Sequence, residues 1–228
     1  LDFRLEYGNR TDGAYDYYSS SGGEGKQNFF ELKEAYVTLE KLDFLPEGSS
    51  VWAGRKFYGR DATFSSGEFW KQSSGVGFGY ETNKFAMAVV GADSDKSTTD
   101  GDRQTALVLD TRIKNIQVPG GSLEAQVNLY TQKNAKTSDE GGNSNTADSG
   151  VGVGLTYNIN KWYGVKDGWS KAAVSMGTGL GGANACGGLN FGSWTAGGDK
   201  NKDAKALFLT TYGMANFTDK LQVATEVS

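Results

Sequence analysis

An all-β, antiparallel fold is what this chain predicts, and three observations predict it. Side chains alternate apolar and polar along nearly all of its 228 residues, the period of a strand with two unlike faces. Thirty-three glycines stand against two prolines, the composition of a polar, Gly-rich, aromatic-rich chain that can hardly build a thick two-sided core. Tight turns alternate with long polar segments, and no stretch carries the 3.6-residue periodicity of a convincing helix.

Eleven strands follow in order. Over 1–7, Leu1, Phe3, Leu5 and Tyr7 oppose Asp2, Arg4 and Glu6. Strands at 29–39 and 51–58 flank Leu45-Pro46-Glu47-Gly48, where proline sets φ and glycine supplies φ > 0. Segments 75–81 and 84–92 come next. In 105–114, Leu107, Leu109 and Ile113 oppose Asp110, Arg112 and Lys114. The turn Val118-Pro119-Gly120-Gly121 leads into 122–132, the cleanest case. There Leu123, Ala125, Val127 and Leu129 oppose Glu124, Gln126, Asn128, Tyr130 and Gln132. Over 151–159, Val151, Val153, Leu155, Tyr157 and Ile159 oppose Gly152, Gly154, Thr156 and Asn158. Strands at 169–179, 204–214 and 221–227 complete the set. Between the tight turns run long polar segments at 9–28, 93–103, 133–150 and 181–203.

Composition excludes several functions. Lys and Arg number 23 and Asp and Glu 27, so 23 − 27 = −4, and no basic field exists to attract nucleic acid. With no histidine, Ser-His-Asp and Cys-His catalysis, His metal ligation and His pH switches all fall away. A single cysteine, Cys186, cannot close an internal disulfide. Gly-rich 177–188 lacks a phosphate-loop signature. No carboxylate pair stands apart as glycoside hydrolysis requires, so no enzyme is expected. The acidic 93–102 segment would hold Ca²⁺ at most weakly, and neither a metal nor a cofactor is expected. The longest uncharged run, 172–198, is too poor in Leu and Ile for a membrane helix. The chain opens without a basic, then apolar, leader; an export signal is expected to be already removed or never present.

Short turns at one end and long polar loops at the other is the pattern of an outer-membrane barrel. A soluble β-sandwich with its apolar faces inward predicts the same alternation. The polar face favours the barrel: it is rich in Gly, Ser, Thr and Asn, as a wet lumen would be, while the apolar face is aliphatic with aromatics near strand ends.

Two segments carry a family resemblance. Lys33-Glu34-Ala35-Tyr36-Val37 followed by Leu45-Pro46-Glu47-Gly48-Ser49-Ser50-Val51-Trp52-Ala53-Gly54-Arg55-Lys56-Phe57-Tyr58-Gly59-Arg60 resembles the maltoporin (LamB-type) carbohydrate porins, as does the Phe69-Trp70 pair with Ser74-Gly75. Pro119-Gly120-Gly121-Ser122-Leu123-Glu124 is similar to another of that family's turns. The resemblance is strongest over 31–92 and 104–132 and loose beyond 180. It implies a single porin-barrel domain over 1–228, part of an eighteen-stranded antiparallel transmembrane β-barrel. It implies a homotrimer in the Gram-negative outer membrane, in contact with its lipid and passing maltose and maltodextrins by diffusion. Eleven strands are fewer than that barrel needs, and the pattern opens and stops inside strands. A piece of a longer chain is expected, lacking about two strands before and several after.

Sugar passage needs flat aromatic rings to stack on sugar faces and polar groups to exchange hydrogen bonds with hydroxyls. The resemblance makes 59–74 an inward-folded constriction loop. It places Arg60 on the family's constriction arginine and Phe69 on its constriction tyrosine, with loss of one hydroxyl. The family's constriction aspartates fall on Ala62 and Gly67, so Asp61 and Glu68 are one-residue-shifted substitutes. Lys33 replaces a pore arginine, exchanging a planar fork for a point charge. Trp169, in Gly168-Trp169-Ser170-Lys171, corresponds to a ring of the family's aromatic slide; an interfacial girdle is its other reading. Trp52, Tyr58, Trp162 and Trp194 read as girdle, interface or loop aromatics. Parity turns Asp110, Arg112, Glu124, Asn128 and Tyr130 toward the lumen, as a pore lining. A non-specific diffusion porin, or a secreted β-sandwich carbohydrate-binding module, are the competing functions.

Overall fold

The structure, a computed structural model, describes residues 2–9, 28–63, 69–71, 73–93, 105–133, 147, 149–183 and 205–228. Eleven strands form one sheet: β1 (Asp2–Asn9), β2 (Asn28–Glu40), β3 (Ser50–Lys56), β6 (Gly75–Glu81), β7 (Phe85–Asp93), β8 (Thr105–Val118), β9 (Gly121–Lys133), β10 (Ser149–Ile159), β11 (Gly168–Gly179), β12 (Lys205–Thr218) and β13 (Leu221–Val227). Each pairs antiparallel with its neighbours in chain order. The eleven strands read from alternation are these eleven, with β8 and β12 each running four residues further, the other bounds within two residues, and β3 ending two residues earlier. Two short strands escape the alternation: β4 (Asp61–Ala62) and β5 (Phe69–Lys71) pair with each other inside the segment joining β3 to β6. They are too short to show a period. A 3-10 turn at Leu180–Ala183 follows β11.

Burial runs opposite to that of a water-soluble protein. Val76, Phe78, Leu207 and Leu209 are 60–64% exposed, as are many other aliphatic side chains of their face to a lesser degree. On the other face Asp110, Asn128, Ser73 and Ser74 are fully enclosed. A sandwich would press the aliphatic face against a second layer; among the described residues no second layer covers it. Aromatics gather on the turn side. The Tyr157 hydroxyl donates to Pro119 O at 2.6 Å, Trp162 meets Tyr163 edge-on at 5.3 Å, and Trp162 Nε1 donates to Thr225 Oγ1 at 3.1 Å. Rings with one apolar body and one polar tip suit an interface.

The sheet curls. Asp61 comes five residues after the end of β3, so its backbone reaches at most about 18 Å from that end. In a flat sheet β12 would lie seven strand spacings from β3, about 34 Å. Yet the Tyr212 hydroxyl, on β12, donates to Asp61 Oδ1 at 2.8 Å. Side chains bridge only about 12 Å of that, so the polar face must be concave. Its edges, β1 and β13, are not paired with each other.

Candidate functional site

The segment linking β3 to β6 lies on the concave, polar face. Its two legs are tied together where Ser73 N–H donates to Tyr58 O at 2.8 Å. One tip of the segment reaches β11 and β12. Asp61 accepts from Lys171 Nζ at 2.5 Å and from Tyr212, and the Trp70 ring stacks on Phe208 at 6.2 Å and 13°. The other leg reaches β8 and β9: Lys71 pairs with Glu124, and Ser73 Oγ donates to Asp110 Oδ2 at 2.5 Å.

Beneath that leg lies a buried polar network. Arg112 donates twice to Asp110, from Nε at 2.7 Å and Nη2 at 2.5 Å. Gln126 Nε2 donates to Asp110 at 3.2 Å and to Asn128 Oδ1 at 2.8 Å. Asn128 Nδ2 in turn donates to the Tyr130 hydroxyl at 3.0 Å and to Ser73 Oγ at 3.3 Å. Strict alternation puts these side chains on one face, since Asp110 faces Asn128 and Arg112 faces Gln126 across β8 and β9. A guanidinium so enclosed requires its carboxylate, because an unpaired charge there is very costly. Its plane also lies over the Tyr58 ring at 4.8 Å. Gly59, with φ +56°, leaves the room: a Cβ there would sit 1.6 Å from Arg112 Nη2.

Burial sets the ionisation of the segment. Enclosure pushes the Tyr58 phenol well above its ordinary range, the Arg112 guanidinium pulling the other way. Enclosure likewise lowers Lys71, aided by Arg112 and opposed by Glu124.

The sequence-derived candidates are distributed as follows. Arg60 is partly buried with its guanidinium 4.3 Å from the Phe57 ring centroid. Asp61 faces the wall, on Lys171 and Tyr212. Asp110, Arg112, Asn128 and Tyr130 share the inner face with Glu124, but none of the four is more than 6% exposed: Ser73 bonds Asp110 and Asn128, Tyr58 lies on Arg112, and Tyr130 is enclosed beside Asn128. They are enclosed rather than lining open water. Trp169 is 37% exposed, its ring edge-on to Tyr212 at 6.0 Å, on the face that carries Lys171. Phe69 lies in β5 and Lys33 at the register shift of β2 against β1, but their side chains lie outside the described residues. Glu68, Cys186 and Trp194 lie outside them altogether, as does the 93–102 segment after Asp93, the last residue of β7.

Trp52 and Tyr58 differ from the expectation of girdle or interface rings. Both are on the inner side, 2% and 3% exposed, with centroids 5.1 Å apart. Trp52 fits there because its cross-strand neighbour is Gly79. Sequence reasoning passed over Lys71, Ser73, Trp70, Lys56, Glu81 and Tyr212. Parity signals the inner face for Lys56, Glu81 and Tyr212; nothing short of the fold pairs the others with the wall. Among the described residues no group of His, Cys, Asp and Glu is disposed to hold a metal.

Comparison with known proteins agrees with this architecture. A family model described as LamB porin matches residues 1–228. Maltoporins of two Vibrio cholerae serotype O1 strains, El Tor Inaba N16961 and Classical Ogawa 395, are each 25% identical over 219 residues. The matches cover 92% of this chain and 49% of each relative. The chain thus spans about half the length of the relatives it matches.

Proposed function

The chain belongs to the LamB porin family, one of channels rather than enzymes, and from that premise we propose that it forms part of an outer-membrane channel for maltodextrin-like sugars. The reversed distribution of side chains carries this reading. Leucine and valine on the convex face suit hydrocarbon, whereas polar and charged groups on the concave face suit a water-filled tube. The β3–β6 segment lies across that concavity, so it narrows the passage. In this reading the barrel is completed by further strands, because hydrocarbon tolerates no open sheet edge, and three such barrels associate in the outer membrane of a Gram-negative bacterium.

Sugars pass by weak, repeated contacts. A permeant must bind well enough to enter and poorly enough to leave. Arg60, Lys33 and Glu68 offer hydrogen bonds to hydroxyls, and Phe69 and Trp169 offer ring faces. Asp61 acts through the wall: its carboxylate, held by Lys171 and Tyr212, fixes where Arg60 begins the segment.

One observation favours a second reading, a non-specific diffusion pore on the same scaffold. Asp61, Trp70 and most of the inner-face residues are engaged with one another, which leaves fewer groups for sugar. Planar-bilayer conductance of the full-length protein, with maltotriose titrated in, separates the two. A sugar channel shows saturable block of the ion current; a non-specific pore shows none. Phe69→Ala and Trp169→Ala are each expected to raise the half-saturation concentration, by about 1 kcal/mol in binding free energy. An unchanged half-saturation in both would reject the aromatic contacts.

A further inference from the structure

Lys56 and Lys114 share a single carboxylate. Lys56 Nζ is 3.8 Å from Glu81 Oε1, and Lys114 Nζ is 3.4 Å from Oε2. All three side chains remain 21–29% exposed on the concave face. Three other ion pairs of that face are one to one, Lys71–Glu124, Arg112–Asp110 and Lys171–Asp61. The Lys56–Glu81–Lys114 group therefore carries one positive charge in excess.

The sequence explains why Lys56 lies along the wall. The inward positions of β6 are Gly75, Gly77 and Gly79, and those of β7 beside them include Ala86 and Ala88. With Val90 the one larger side chain opposite these glycines, the long side chain folds over the sheet. Its ammonium stops above aromatic faces, 4.8 Å from the Tyr36 centroid and 4.9 Å from that of Trp52. Trp52 is held by the same vacancy, since a Cβ on Gly79 would come within 2.4 Å of its Nε1. The charge is thus fixed in place before any ligand arrives, which lowers the ordering cost of binding. Asp2, Arg4 and Glu34 lie on the neighbouring strands β1 and β2, with Arg4 opposite Glu34, and Glu34 accepts from Phe57 N–H at 2.9 Å.

We infer that Lys56 and Lys114 form a binding site for the carboxylate of an acidic sugar, a glycan bearing a uronate. The excess of one charge matches a monoanion. A phosphate ester, carrying close to two negative charges, would leave the site over-neutralised. Glu81 accepts from sugar hydroxyls beside the bound carboxylate. The inference rests on the channel reading above, and the experiment separates the two.

The full-length protein in planar bilayers is titrated with maltotriose, with a glucan of equal length ending in glucuronate, and with a glucose phosphate. At low salt the uronate is expected to half-saturate at about two- to fivefold lower concentration than the neutral sugar. That advantage shrinks at about 1 M salt, where the Debye length is about 3 Å. Lys56→Gln and Lys114→Gln each remove it, and Glu81→Gln enlarges it. The opposite sign of the Glu81 variant cannot come from a damaged fold. Equal half-saturation for uronate and neutral sugar, or an advantage that survives both lysine variants, overturns the inference while leaving the channel reading intact. Stronger block by the phosphate than by the uronate overturns the carboxylate assignment. Failure of every sugar to block rejects the channel reading together with the inference.

Discussion

Single atoms decide the foot of the β3–β6 segment. Gly59 occupies the left-handed region at φ +56°, and any Cβ there would collide with the Arg112 guanidinium. Gly59→Ala is therefore expected to lower the free energy of unfolding by about 1–3 kcal/mol and to displace Arg112 from its bidentate contact with Asp110. Heat-unfolding midpoints and single-channel conductance read the two effects, and a variant with both values unchanged would remove Gly59 from this role. At this scale the sequence was legible in part. Alternation turned Asp110, Arg112, Asn128 and Tyr130 to the inner face. It did not reveal that they are covered, because that depends on Ser73 and Lys71, which approach from another part of the chain. Trp52, an aromatic near a strand end, reads as a girdle ring until the vacancy at Gly79 is known.

At the scale of the element, the β3–β6 segment is held by charge as well as by packing. Lys71 on Glu124 and Asp61 on Lys171 pin its two sides to different strands. Lys71→Met should free one side, giving noisier ion current and weaker sugar block in bilayers; a quiet, wild-type trace would show that packing alone suffices. The variant also has a pH signature. Burial lowers the Lys71 pKa in the folded state, so between that value and the unfolded value of about 10.4 the unfolded chain binds more protons. Stability then rises with pH across that window, Lys71 contributing a favourable slope. Lys71→Met is expected to lose the slope, leaving the unfolding midpoint flatter as pH approaches the unfolded lysine value. The segment's inward path came from the family resemblance in its motif, not from periodicity, since β4 and β5 have too few residues to alternate. The eleven long strands, by contrast, declared themselves because each needs two solvents at once.

Across the whole molecule the deciding quantity is which medium touches each face. Alternation alone is symmetric: it fits a sandwich with aliphatic side chains inside and a barrel with them outside. The curl breaks the symmetry, because the contact of Asp61 with Tyr212 makes the polar face concave and so leaves the aliphatic face convex, with nothing behind it among the described residues. A convex aliphatic face of this extent suits hydrocarbon rather than water. This yields a depth-dependent expectation. Val153, at the middle of β10, belongs near the bilayer midplane, and Tyr157, whose hydroxyl bonds Pro119 O by the turn, belongs near the interface. Val153→Arg should cost about 2–4 kcal/mol and Tyr157→Arg about 0–1 kcal/mol beyond the loss of its own hydrogen bond. Refolding of the full-length protein into lipid vesicles measures both. The physical content lies in the gradient. In a soluble sandwich Val153→Arg would bury a charge within protein, and the penalty would follow local packing rather than distance along the strand. Similar penalties at both positions, or a larger one at Tyr157, would place protein rather than lipid against the convex face.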